Sequence, residues 1–87
     1  MKQLNYIGGL VMRSIIINLN TIDKVKSFVA MVSKFSCEMT ITSGRYMVDA
    51  KSIMGIFSLD LTNELSLHVP ADDYDEVKKV MKDFIAE

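Results

Sequence analysis

The chain has 87 residues, 49% of them hydrophobic and 24% charged, which suits one small globular domain with a single core. Ten basic residues against eleven acidic ones leave a net charge of -1, so no electrostatic footprint marks the chain for nucleic acid or an anionic membrane. A single cysteine excludes an internal disulfide framework and fits a reducing compartment, and no apolar run is long enough to span a bilayer.

The stretch from Met1 to Val11 has one lysine and a short apolar part broken at Gly8-Gly9, a poor secretory signal. A cytoplasmic protein is therefore expected. Residues 1–11 carry no periodic pattern and read as an N-terminal extension that the fold does not need, added by upstream translation; the domain proper is expected over 12–87, starting at Met12. The alternative is an extra strand or arm packed on a sheet edge, easily attached through the glycine pair.

Arg13-Ser14-Ile15-Ile16-Ile17-Asn18-Leu19 is the first convincing strand, because consecutive isoleucines are β-branched and prefer an extended chain. Asn20 or Thr21 then suits an N-cap, with Asp23 in the first turn. Ile22, Val25, Phe28/Val29, Val32 and Phe35 recur at spacings of three and four, which predicts an amphipathic helix of about four turns with these residues buried. Cys37 to Thr42 alternates as a half-buried strand, with Cys37, Met39 and Ile41 inward and Glu38, Thr40 and Thr42 outward. Ser43-Gly44 predicts a tight turn, and Arg45 to Asp49 returns as the second arm of a hairpin.

Ser52 is placed to cap a short helix, a contribution of about 1 kcal/mol. Ile53, Met54, Ile56, Phe57 and Leu59 put apolar side chains nearly all round that helix, so part of its surface is either buried or kept for a partner. Glu64 to Val69 alternates again, with the leucines and Val69 inward, and Pro70 ends the strand. The last helix is expected from Ala71-Asp72-Asp73, an acidic start, with Tyr74, Val77, Val80/Met81 and Phe84 as its buried stripe. The order β-α-β-β-α-β-α predicts an α+β open-faced sandwich: a four-stranded antiparallel sheet with three helices on one face and a polar opposite face.

Few residues offer chemistry. His68 is the only histidine and falls on the outer sheet face, where a solvated strand histidine with no positioned partner is expected. Cys37 alternates inward and reads as an inert thiol. Asp72, Asp73, Asp75 and Glu76 match no calcium loop, and an acidic helix start explains them, so no metal and no cofactor is expected.

Ala50-Lys51-Ser52-Ile53-Met54-Gly55, followed by Ser58-Leu59, resembles the second helix of HPr, the phosphocarrier of the bacterial sugar phosphotransferase system. The likeness is greatest to the Gram-positive form, whose equivalent serine is a regulatory phosphorylation site. Phe28-Val29 with Phe35 is similar to the end of the first HPr helix, and Thr40-Ile41-Thr42-Ser43 to its second strand. The resemblance runs from about Phe28 to the C-terminus and implies the HPr-like open-faced sandwich.

It also implies where the carrier residues should stand. HPr carries its phosphoryl group on a histidine at the start of its first helix, with an arginine two residues on. Aligning Phe28-Val29 puts Thr21 at the histidine position, Asp23 at the arginine position and Lys24 where the family has proline. The preceding loop is about five residues short for the family, with barely enough chain to turn. Threonine cannot replace a nitrogen nucleophile that titrates near neutrality, and Asp23 would repel a phosphoryl group. The resemblance therefore implies a regulatory, non-carrier protein rather than an enzyme, acting through Ser52. Its partner surface is expected at Ile53, Met54 and Phe57. The expected partners are HPr kinase/phosphorylase and a catabolite-control regulator or sugar-system enzyme. The alternatives are a working phosphocarrier that uses an unexpected residue and a small binding module that only retains the fold.

Overall fold

The structure, a computed structural model, describes residues 4–7 and 10–86. The Gly8-Gly9 break lies outside the described residues. Five strands form there: β1 (Leu4–Ile7), β2 (Leu10–Ile17), β3 (Thr40–Ser43), β4 (Tyr46–Asp49) and β5 (Leu65–Pro70). Three α-helices join them: α1 (Ile22–Val32), α2 (Ile53–Phe57) and α3 (Tyr74–Val80). The sheet order is β1-β2-β5-β3-β4, antiparallel throughout. The expected four-stranded sheet is thus present as β2-β5-β3-β4, with β1 added as a fifth strand on the β2 edge.

Register follows the period-2 alternation. Ile15, Leu67, Ile41 and Val48 stand opposite one another across four strands. The row Ser14, His68, Thr40 and Asp49 occupies the other face. The hairpin from β3 to β4 turns on Gly44, whose φ of 58° is the left-handed region that a side chain disfavours. The helices lay Val25, Phe28 and Val32 of α1, Ile56 of α2 and Val77 of α3 on the inner sheet face as one core. Phe28 and Phe84 meet edge to face with centroids 5.8 Å apart.

Four expectations are corrected by the coordinates. The strand predicted from Cys37 begins at Thr40, and Cys37 is only half-buried. Its neighbours explain this: Thr40 pairs with His68, so a strand continued back to Glu38 would face Pro70, which has no N–H to give. On the other side β4 has already turned away, its Asp49 carboxylate accepting from the Lys51 N–H at 2.9 Å. Ile22, the first residue of α1, is 63% exposed. The final helix is short and flanked by 3-10 turns at Ala71–Asp73 and Lys82–Phe84, which leaves Val80 exposed while Met81 is buried. Tightening at Lys82–Phe84 lets the chain rejoin the sheet: the Asn18 N–H donates to the Phe84 carbonyl at 2.8 Å and the Ala86 N–H to the Ile16 carbonyl at 2.9 Å.

His68 is the fourth correction. It lies on the outer face as expected but is 9% exposed rather than solvated. Being on the central strand β5, it is flanked on both sides. Its Nδ1 is 3.2 Å from the Ser14 hydroxyl on β2, and its Nε2 is 2.8 Å from the Thr42 hydroxyl on β3. Hydroxyls donate or accept, so either neutral tautomer is satisfied. Burial lowers the His68 pKa below its ordinary value. In the window between the lowered value and the ordinary one near 6.5, the unfolded chain binds a proton that the folded chain does not. Stability is therefore full above that window and falls as pH drops through it. Urea midpoints should decline more between pH 7.5 and 5 for wild type than for His68→Asn; equal declines would rule this out.

Candidate functional site

Two helix starts carry the candidate residues. At α1, Thr21 is extended (φ -134°, ψ 156°) and its side chain accepts from the Lys24 N–H at 3.1 Å, an N-cap. Thr21 and Asp23 are both exposed. No histidine stands there: the only one in the sequence is His68, held within the sheet.

At α2, Ser52 is the N-cap, its Oγ accepting from the Gly55 N–H at 3.1 Å. The approach is fixed by its neighbours. Asp49 closes the turn before it, and the Lys51 ammonium donates to the Phe35 carbonyl at 2.6 Å, tying the entry of α2 to the chain after α1. Gly55 sits in close packing: a Cβ there would lie 3.1 Å from Ser52 Oγ and 3.2 Å from Val48 Cβ, so both neighbours would have to give by a few tenths of an ångström. Ile56 points into the core and anchors the helix, while Ser58 caps its end, its hydroxyl donating to the Gly55 carbonyl at 2.5 Å. Met54 is 75% exposed, Phe57 is 37% exposed, and Ile53 is half-buried against the core. The helix therefore splits as its all-round apolar sequence requires: Ile56 inward, Met54 and Phe57 outward. Ser52→Ala should lower stability by about 1 kcal/mol, and Ser52→Asp by much less, since aspartate also caps; urea denaturation checks both.

Sequence reasoning missed Tyr46 and Met47, exposed at 72% and 58% on β4, the outermost strand on that side of the sheet. Alternation alone does not reveal which strand lies at an edge. Cys37 has its pKa raised by burial and then by Asp73, which disfavours the thiolate. Among the described residues no three His, Cys, Asp or Glu side chains gather where they could hold a metal, and no helix is long and apolar enough to cross a membrane.

A four-stranded antiparallel sheet in the order β2-β5-β3-β4, with helices on one face and a serine-capped helix after the hairpin, defines the open-faced sandwich class of small α+β proteins. The family model PTS-HPr, described as the PTS HPr component phosphorylation site, matches residues 24–86. The chain belongs to the HPr family, the phosphocarrier-like proteins of the sugar phosphotransferase system. The match contains Ser52 and its helix and begins three residues after Thr21. No curated protein and no solved structure matches the chain.

Proposed function

We propose that this protein is a cytoplasmic regulatory member of its family, not a phosphoryl carrier, and that it acts through Ser52 and the adjacent apolar helix. The observation that carries the reading is the contrast between the two helix starts. At α1 the groups at the helix start are the Thr21 hydroxyl and the Asp23 carboxylate, with no imidazole beside them. At α2 a serine hydroxyl sits beside exposed Met54 and Phe57. A phosphate on Ser52 adds about -1.5 to -2 charge next to backbone N–H groups of the first turn, and places that charge against an apolar patch. A partner that reads both needs a basic residue and a greasy pocket. HPr kinase/phosphorylase would write the mark, and a catabolite-control regulator or a sugar-system enzyme would read it.

The test is to label the protein with HPr kinase and ATP and measure binding of the labelled and unlabelled forms to a catabolite-control regulator. The reading expects phosphoserine at Ser52 and binding only by the labelled form. Absence of label, or equal binding by both forms, reduces Ser52 to a helix cap.

A further inference from the structure

The two edges of the sheet are finished differently. The β2 edge is covered at both ends: β1 pairs with residues 10–13, and further on Ile85 bridges Ile17 while the Ala86 N–H donates to the Ile16 carbonyl at 2.9 Å. Nothing among the described residues pairs with the far side of β4. Which groups face that side follows from the ladder. The Ala50 N–H donates to the Met39 carbonyl at 3.0 Å, so Val48 and Tyr46, at two-residue steps from Ala50, direct their N–H and C=O groups at β3. Met47 and Asp49 therefore turn theirs outward. The Asp49 carbonyl is taken by the Ser52 N–H at 3.0 Å, whereas Met47 offers both its groups to the open side. Sheet edges are ordinarily protected by proline, lysine, a bulge or a covering element. Tyr46–Asp49 has no proline, no lysine and no bulge in its register with β3, and it exposes the side chains of Tyr46 and Met47.

We infer that this edge pairs with the β4 edge of a second copy of the chain, antiparallel about a two-fold axis at Met47. The residues of the edge select that occupant, because they complement themselves. In this register Met47 meets Met47, Tyr46 meets Val48, and Arg45 meets Asp49 of the other copy. The two-fold axis makes each contact occur twice, so two Arg45–Asp49 pairs flank the central methionines. Charge also fixes the register. Sliding two residues one way sets Arg45 against Lys51, and sliding two the other way sets Asp49 against Ser43 and leaves both charges unmatched. The Asp49 Oδ1 already accepts from the Lys51 N–H, which leaves Oδ2 for the guanidinium. Each Met47 N–H donates to the Met47 carbonyl of the other copy, and the sheet runs on through both chains. Tyr46 beside Val48 adds an aromatic and β-branched pair on the helix-bearing face. A four-residue edge falls short of the roughly 1,200 Å² of a standard interface, so the dimer is weak, with a dissociation constant of about 0.1 mM. The pairing does not use the Ser52 hydroxyl and stands or falls apart from the Ser52 reading.

The experiment is sedimentation equilibrium of the full chain from about 10 μM to 1 mM, with backbone amide shifts followed by NMR over the same range. The mass is expected to rise from monomer toward dimer, with the shifts centred on Met47 and Asp49. Arg45→Glu and Asp49→Lys should each weaken the dimer about tenfold or more, and the double variant should restore it. Met47→Pro should abolish the dimer and keep the fold, because the N–H it removes faces away from β3. Thermal unfolding of each variant checks the fold. Asp49→Lys also loses the contact with the Lys51 N–H, so Arg45→Glu and Met47→Pro decide by themselves if that variant unfolds. A monomer throughout the range, a dimer indifferent to Met47→Pro or to Arg45→Glu, no recovery in a folded double variant, or shifts centred on β1 or on Met54 and Phe57 would each overturn the assignment.

Discussion

Phe28→Ala should remove about half of the chain's folding stability. Phe28 is fully buried, standing on α1 between Val25 and Val32 and packed against Phe84. Removing a buried phenyl ring costs about 3–5 kcal/mol, through lost transfer energy and the cavity left behind. A domain of this size has roughly 5–10 kcal/mol in all, so the loss is a large share of it. The ring also links α1 to the C-terminal turn, whose backbone closes onto β2. Its loss should therefore loosen both elements together. Urea denaturation measures the effect, with Met54→Ala as the control: that side chain is 75% exposed, and its truncation should change stability by less than about 0.5 kcal/mol. Equal midpoints for the two variants would show that the core does not close through Phe28.

Met54→Asp should have the opposite profile. The fold should survive, since Met54 contributes little to the core and Ile56, with Ile53 packed beside it, anchors α2 inward. Binding of the Ser52-phosphorylated form to its reader should fall about 30-fold or more, because a buried anchor at an interface centre is worth 2 kcal/mol or more and the new carboxylate would be desolvated beside the phosphate. Affinity by calorimetry, with thermal unfolding run in parallel, separates the two effects. Undiminished affinity would remove Met54, and with it the patch of Ile53 and Phe57, from the proposed surface.

Much of the architecture was legible in the sequence because periodicity and capping are local. The alternation in Leu65-Ser66-Leu67 and the spacing of Val25, Phe28 and Val32 each specify a face, and the structure buries those faces. Thr21 and Ser52 were readable as caps for the same reason. What failed depended on neighbours that sequence does not show. His68 is on the predicted face, but its burial comes from Ser14 and Thr42 on two other strands. Cys37 alternates correctly and yet has no strand to pair with, because Pro70 and the β4 turn end the ladder first. Ile22 fits the helical stripe but, as the first residue of α1, stays exposed. That α1 and the C-terminal turn lie side by side was invisible because Phe28 and Phe84, which meet edge to face, are far apart in the chain.

The central claim is that this protein receives phosphate on a serine and does not carry it on a histidine. It is tested most directly by two parallel incubations, one with phosphoenolpyruvate and Enzyme I and one with ATP and HPr kinase. Each product is mapped by mass spectrometry under conditions that preserve acid-labile phosphate. The account predicts no phosphate from Enzyme I and a single phosphoserine at Ser52 from the kinase. Acid-labile phosphate on His68, or on any residue of the Enzyme I sample, would contradict it.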